Sequence, residues 1–178
     1  MNKRHFLKLA GASIALAPMA SMAALDKTNT AGLNDINVLT DITASAKPIT
    51  VEERRARIEK AQSLMKAQDI EAILIEPGAA MEYFSGIKWW RSERLTALII
   101  PKKGDVAVIT PFFEKPSVLE SLAIGDDVRV WQEHESPFDA VASILKSRGI
   151  TSGNIGFESS VRYFVVTGVS RALPNMKI

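Results

Sequence analysis

The sequence predicts an α/β protein, a three-layer α/β/α sandwich whose sheet is mixed and mainly parallel. Two observations support this fold class. From residue 50 onward, segments with helical periodicity alternate with short apolar runs of strand length. One run, Ala72-Ile-Leu-Ile75, is wholly apolar and is followed by Pro77-Gly78, a pattern typical of a strand that is buried on both faces. Helices must therefore cover both sides of the sheet.

The first predicted elements are a helix, the buried strand and a second helix. The first helix spans residues 51–67, because Thr50 can cap it, Glu53 can close a capping box, and apolar residues follow at helical spacing. The second helix is short, spans residues 79–85 and ends at Gly86.

A hairpin follows in the middle of the chain. Apolar segments at residues 96–100 and 106–110 flank the turn sequence Lys102-Lys-Gly-Asp105, which predicts two antiparallel strands. Residues 112–122 are predicted to form a helix. Residues 128–132 alternate between apolar and polar side chains, as a half-buried strand does.

The last predicted elements are helix, strand and helix. Ser136-Pro137 supplies a capping residue and a first-turn proline for a helix over residues 137–148, and Gly149 ends that helix. Residues 154–157 form a short strand and residues 160–172 a final helix. These alternations give the parallel part of the sheet.

The amino-terminal segment has the basic, apolar and small-residue regions of a signal peptide. We expect residues 1–23 to be removed by cleavage after Ala23, and the protein to be exported to the periplasm. Lys3-Arg-His-Phe-Leu-Lys8 is similar to the twin-arginine export motif with Lys at the first Arg, so a Tat-like route and the Sec route both remain open. The run from Leu9 to Leu25 is interrupted by Pro18 and is too short for a stable membrane span, which needs about 20 apolar residues.

Composition indicates one globular domain in a chain of 178 residues. Residues 24–49 show no sustained period and are predicted to be a linker or flexible arm, and residues 50–178 form the domain. Without residues 1–23 the chain keeps 19 of its 22 Lys and Arg and all 20 Asp and Glu, a net charge of −1. This balance gives no indication of a nucleic-acid partner. The lack of cysteine excludes disulfides and thiolate metal sites.

Candidate catalytic residues are scarce. His134 is the only histidine after residue 23, and it lies between Glu133 and Glu135 at the end of a predicted strand. In an extended chain the two carboxylates point to one face and the imidazole to the other, so a surface strand end is favoured over a metal-ligand set. No phosphate-binding glycine loop and no paired carboxylates of acid/base spacing are found. We therefore expect this chain alone to be inactive, with no cofactor of its own.

The stretch EYFSGIKWWRSERL, residues 82–95, carries the most distinctive side chains. Two tryptophans fall in a predicted irregular segment beside two arginines and a glutamate, a composition typical of interfaces and ligand walls. Packing in the core is the competing interpretation for any aromatic residue. We favour a substrate wall or interface, formed by Trp89, Trp90, Arg91, Glu93 and Arg94.

In order and spacing, several motifs between residues 50 and 175 resemble the amino-terminal domain of the creatinase/prolidase group of pita-bread metallopeptidases, especially Xaa-Pro dipeptidases and aminopeptidase P. The matching motifs are Glu53-Arg54 with Arg57, Tyr83-Phe-Ser-Gly86, Trp89-Trp90, Ser92-Glu-Arg94, Ile100-Pro101, Phe113-Glu114, Glu133-His-Glu-Ser-Pro137, Ile155-Gly-Phe-Glu158 and Arg162-Tyr-Phe164.

The resemblance implies an enzyme of two parts. A carboxy-terminal pita-bread domain, which is missing from these residues, would carry a pair of divalent metal ions (Mn, Co or Zn) and cleave proline-containing peptides. The amino-terminal domain would build a homodimer and line the active site. No metal ligand and no catalytic residue is carried over to this chain.

Two other interpretations remain open. The chain could be a freestanding binding or scaffold module that kept the fold without the chemistry. It could also be the amino-terminal part of a creatinase-type amidinohydrolase, which resembles the peptidases in architecture and uses no metal. The preferred peptide and the identity of the metal do not follow from these residues.

Overall fold

The computed structural model describes residues 42–178. The predicted signal peptide and most of the predicted linker lie outside the described residues. Residues 42–45 form a turn, and residues 48–178 form one compact unit. No helix among residues 42–178 has the length and apolar character needed to cross a membrane.

The compact unit contains five α-helices, six strands and a short 3-10 helix. In chain order they are α1 (Val51–Ala67), β1 (Ile70–Ile75), α2 (Ala79–Ser85), β2 (Ala97–Pro101), β3 (Ala107–Pro111), a 3-10 helix (Phe112–Glu114), α3 (Lys115–Ser121), β4 (Asp127–Trp131), α4 (Pro137–Ser147), β5 (Gly153–Phe157), α5 (Tyr163–Ala172) and β6 (Met176–Lys177).

The six strands form one mixed sheet in the order β4-β3-β2-β1-β5-β6. The pairs β3/β4, β1/β5 and β5/β6 are parallel, and the hairpin strand β2 runs antiparallel to both of its neighbours. The predicted mixed, mainly parallel sheet is therefore confirmed. Because β2 is reversed, its amino end lies beside the carboxyl ends of β1, β3, β4 and β5, and we call this side of the sheet the carboxyl edge.

Two apolar clusters, one on each face of the sheet, make the three layers. On one face α4 and α5 pack against β2 through residues such as Ala97 and Ile99. On the other face α1, α2 and α3 pack against the alternate residues Leu98 and Ile100. All five residues of β2 are buried. Burial on both faces explains why the central strands are apolar without interruption.

The start of α1 follows the predicted cap only in part. The Thr50 hydroxyl accepts a hydrogen bond from the Glu53 N–H at 3.1 Å, as predicted. The Glu53 carboxylate, however, accepts a hydrogen bond from Arg57 one turn later and does not close a capping box with Thr50. The i, i+4 ion pair is the stronger attraction available to this side chain.

Two further predictions about the elements need correction, and one element was not predicted. The helix predicted over residues 112–122 is a 3-10 helix followed by α3, because Pro116 lacks an N–H and fits only the first turn of a helix. The helix predicted from residue 160 begins at Tyr163, since residues before it turn around the Glu158 carboxylate. Strand β6 was not predicted, because two residues are too few for a periodic signal.

Candidate functional site

The loops at the carboxyl edge of the sheet hold most of the charged and aromatic side chains that were identified from the sequence. The longest joins α2 to β2, has no regular structure and contains all five predicted site residues. We call residues 86–96 the tryptophan loop. It starts at Gly86, which ends α2 with φ +86°, and a Cβ there would lie 2.7 Å from the Cβ of Ala123. Only glycine fits this turn without strain.

The two tryptophans have different environments. Trp90 is 90% exposed. Trp89 is partly buried and packs against the apolar cluster on the α1–α3 face of the sheet. The path of the irregular loop places one indole against the cluster and the other in solvent. The sequence predicts one role for both tryptophans; in the structure Trp90 is exposed, whereas Trp89 contacts the apolar cluster and also lines the groove beside the loop.

A groove lies between the tryptophan loop and the start of α2, with a volume of about 760 Å³. Pro77, Ile87 and the two tryptophans supply its apolar wall. Lys88 is also at the groove and lies 3.8 Å from the Glu82 carboxylate, measured from Nζ to Oε1. An apolar wall with a few polar groups is the usual character of a site for small molecules or peptide ends.

Arg91 anchors the loop to the connections after β1 and β5. Its Nε donates to the Pro77 carbonyl at 3.1 Å, and its Nη2 donates to the Ser160 hydroxyl and lies 3.9 Å from Glu158 Oε2. The Ser160 hydroxyl also donates to Glu158 and lowers the pKa of that carboxyl, an effect to which Arg91 adds. Arg91 therefore has protein partners on both sides and is held in place.

Arg94 anchors the other end of the loop. Its Nε donates to Glu133 Oε1 at 2.6 Å, it also pairs with Glu93, and its guanidinium lies 5.4 Å from the centre of the Phe113 ring. The hydrogen bond to Glu133 raises the pKa of Arg94. These contacts join the loop to the turn after β4 and to the 3-10 helix after β3.

The ion pair between the buried Glu76 and the partly exposed Arg162 was not identified from the sequence. Glu76 directly follows β1 and is only 1% exposed. It accepts hydrogen bonds from Arg162 through both carboxylate oxygens, and Arg162 Nη1 donates to the Ser92 carbonyl of the tryptophan loop at 2.6 Å. The sequence does carry a signal for this pair: Glu76 directly follows a wholly apolar run, and a carboxylate buried at that position requires a partner.

A hydroxyl pair connects the base of the loop to the hairpin. The Thr96 and Thr110 hydroxyls are 2.9 Å apart in the buried interior, and both contact Glu114 Oε2, at 3.1 and 3.4 Å. Every buried hydroxyl here thus has a partner, which a stable polar cluster requires.

His134 lies in an exposed turn after β4, so the extended geometry predicted for it is wrong. Glu133 binds Arg94, and Glu135 accepts a hydrogen bond from the Gln132 N–H at 2.7 Å, so the two carboxylates serve different partners. Within residues 42–178 no three His, Asp or Glu side chains converge as a metal site would require. The arrangement is suited to binding and packing.

Comparison with known proteins identifies relatives of most of the compact unit. A family model described as the Creatinase/Prolidase N-terminal domain matches residues 57–178. An uncharacterized peptidase from Schizosaccharomyces pombe is 27% identical over 135 residues, which cover 68% of this chain and 29% of that protein. The resemblance inferred from the motifs is therefore confirmed.

Solved structures agree with this result. The crystal structure of the dipeptidase PepE from Mycobacterium ulcerans matches with a TM-score of 0.64 and 25% identity, over 72% of this chain and 34% of that chain. The N-terminal domain of the Xaa-Pro dipeptidase from Lactobacillus brevis matches with a TM-score of 0.60 and 18% identity, over 66% of this chain and 87% of that chain. The chain thus spans about a third of the PepE structure and nearly all of the isolated N-terminal domain.

Proposed function

The chain belongs to the creatinase/prolidase N-terminal domain family, and we propose that it is the non-catalytic N-terminal domain of an exported Xaa-Pro peptidase. One structural relative is named a dipeptidase, and another is the N-terminal domain of an Xaa-Pro dipeptidase. In this proposal a catalytic domain cleaves the Xaa-Pro bond, and the present domain builds a homodimer and lines the active site.

The metal pair expected for such peptidases does not fit the described residues of this chain. The carboxylates at the carboxyl edge bind arginines and hydroxyls: Glu76 pairs with Arg162, Glu133 with Arg94, and Glu114 with two threonines. A metal ion needs several free carboxylates or imidazoles around one point. In this proposal the catalytic domain therefore binds the metal pair.

The exposure of Trp90 is the observation that carries the proposed interface role of this domain. The Trp90 indole is 90% exposed, so a large apolar side chain lies in water. The loop that carries it is held in place by Arg91, Arg94 and Arg162. Interface anchors are enriched in tryptophan and arginine, and exposed apolar surface in a folded domain commonly marks a missing partner.

Other aromatic side chains at the carboxyl edge are also exposed. Phe112 and Phe113 are each 47% exposed and Tyr163 is 81% exposed. We propose that these side chains pack against a second copy of the domain. The groove beside Trp90 would then form part of the wall around a proline-containing peptide.

Self-association measured by sedimentation velocity tests this proposal. We expect the purified chain to dimerise and Trp90→Ala to weaken dimerisation by more than about 1 kcal/mol, or about fivefold in the dissociation constant, the usual threshold for an interface anchor. Leu64→Ala is the matched control, because Leu64 is also exposed, at 53%, but lies on α1. Equal dimerisation of all three proteins would contradict the proposed role of Trp90.

A further inference from the structure

We infer that Arg162, held by the buried carboxylate of Glu76, is a positioning residue that fixes the tryptophan loop against the end of the sheet. If the positioning role is combined with the proposed function, on which this step rests, Arg162 also sets where Trp90 meets its partner. The positioning itself rests only on the contacts described below.

Glu76 fixes Arg162. The Glu76 side chain is fully buried, and it accepts three hydrogen bonds from one residue: from the Arg162 backbone N–H at 2.8 Å, from Nε at 3.0 Å and from Nη2 at 2.6 Å. A buried carboxylate is costly unless a cation and hydrogen bonds compensate it. Arg162 therefore cannot swing away without leaving that charge unpaired, and its guanidinium is held in one orientation.

The same guanidinium reaches the tryptophan loop. Its remaining nitrogen, Nη1, donates to the Ser92 carbonyl at 2.6 Å, two residues after Trp90. Its central carbon lies 4.7 Å from the centre of the Phe164 ring, which supports the guanidinium plane. One side chain thus connects the end of β1, the tryptophan loop and the start of α5.

The other ion pairs that hold the loop are more exposed. The side chains of Arg91 and Glu158 are 33% and 25% exposed, and those of Arg94 and Glu133 are 35% and 55% exposed. Solvent-exposed pairs of this kind contribute little. Among the described ion pairs, Glu76 is the one carboxylate with a fully buried side chain. Arg162 is therefore the anchor with the strongest reason to stay in place.

Arg162→Met tests the inference, because it removes the side-chain donors and keeps an apolar stem. Arg148→Met is the matched control: Arg148 donates to Asp127 at 2.7 Å and to the Asp105 carbonyl, near the start of β4 and far from the tryptophan loop in the fold. The chain is labelled with 5-fluorotryptophan, and its three ¹⁹F resonances are assigned by single Trp→Phe variants. Amide hydrogen exchange is measured over residues 88–94.

In Arg162→Met we expect the Trp89 and Trp90 resonances to shift or broaden. The resonance of Trp131, whose indole donates to the Leu95 carbonyl at the base of the tryptophan loop at 2.9 Å, should shift less than those of Trp89 and Trp90. Amide exchange over residues 88–94 should rise about tenfold, since a hydrogen bond to a charged group is worth at least that factor in a local opening. Arg148→Met should leave both readouts unchanged. Arg162→Lys should not restore the wild-type readouts, because an ammonium lacks the planar fork that serves Glu76 and Ser92 together.

Two results would overturn the inference. In the first, Arg162→Met and Arg148→Met raise amide exchange in the loop equally, in proportion to the global stability that each variant loses. In the second, neither variant moves the Trp89 and Trp90 resonances. Should Arg162→Met fail to fold because the Glu76 charge is left unpaired, the double variant Glu76→Gln, Arg162→Met removes that charge and makes the same test. If the loop is released while dimerisation stays as tight, the proposed function fails and the positioning role stands. If dimerisation depends on Trp90 while Arg162→Met leaves the loop unchanged, the positioning role alone fails.

Discussion

Separate replacement of the two tryptophans by alanine should have very different effects on stability. A fully enclosed aromatic side chain buries on the order of 150–250 Å², worth about 4–6 kcal/mol at ~25 cal/mol per Å². Trp90 keeps 90% of its surface exposed, so Trp90→Ala should cost about a tenth of this, ~0.5 kcal/mol. Trp89 packs against the apolar cluster that includes Met81, Ile87 and Val118, and Trp89→Ala should cost about 2–3 kcal/mol.

Urea unfolding at 25 °C, followed by circular dichroism at a protein concentration below self-association, measures both changes. We expect the midpoint to fall clearly for Trp89→Ala and hardly at all for Trp90→Ala, with the same m-value for both variants because the fold is unchanged. In thermal unfolding the difference corresponds to roughly 5–10 °C for a domain of this size.

The result that would refute this reasoning is a similar loss of stability in the two variants. In that case Trp90 would contribute to the core of the domain. Its exposure could then not be used as evidence for a partner.

Three other predictions concern residues outside the tryptophan pair. The hydrogen bond from Arg129 lowers the pKa of Asp127, so the folded state binds fewer protons than the unfolded state. The ionised Asp127 therefore contributes stability that is complete above the unfolded pKa of about 4 and is lost as the pH falls through the folded pKa. Asp127→Asn should flatten the acid side of a curve of stability against pH. Gly86→Ala should cost at least about 1–2 kcal/mol in urea unfolding, because alanine disfavours φ +86° and its Cβ would meet that of Ala123, whereas wild-type stability would show that α2 can end differently. Cell fractionation should find the protein shortened by residues 1–23 in the periplasm; a full-length protein confined to the cytoplasm would contradict export.

Elements with a local signal could be predicted from the sequence. Helix α1 begins at its cap Thr50, and α4 begins after Ser136, whose hydroxyl accepts a hydrogen bond from the Asp139 N–H. The apolar run in β1 identified a sheet covered on both faces. Each of these signals lies within a few consecutive residues, and the helix start or strand that it predicts can be read from those residues without knowing the rest of the fold.

Features that depend on distant residues could not be predicted in the same way. Glu76 and Arg162 are 86 positions apart, and their pairing follows only from the parallel alignment of β1 with β5. The different burial of Trp89 and Trp90 depends on the path of an irregular loop, which has no period to analyse. The motif resemblance did include Arg162, but the reason for its presence required the fold.

We propose that the carboxyl edge is the surface that binds a partner. Amide hydrogen exchange, measured at protein concentrations below and above self-association, tests this most directly. We expect slower exchange in the associated form over residues 86–96 and 112–114 and at the start of α5, around Trp90, Phe112, Phe113 and Tyr163. Exchange in the exposed turns of the opposite edge should stay unchanged. Protection confined to another surface, such as α1 or the free side of β4, with the tryptophan loop exchanging as fast as in the monomer, would contradict it.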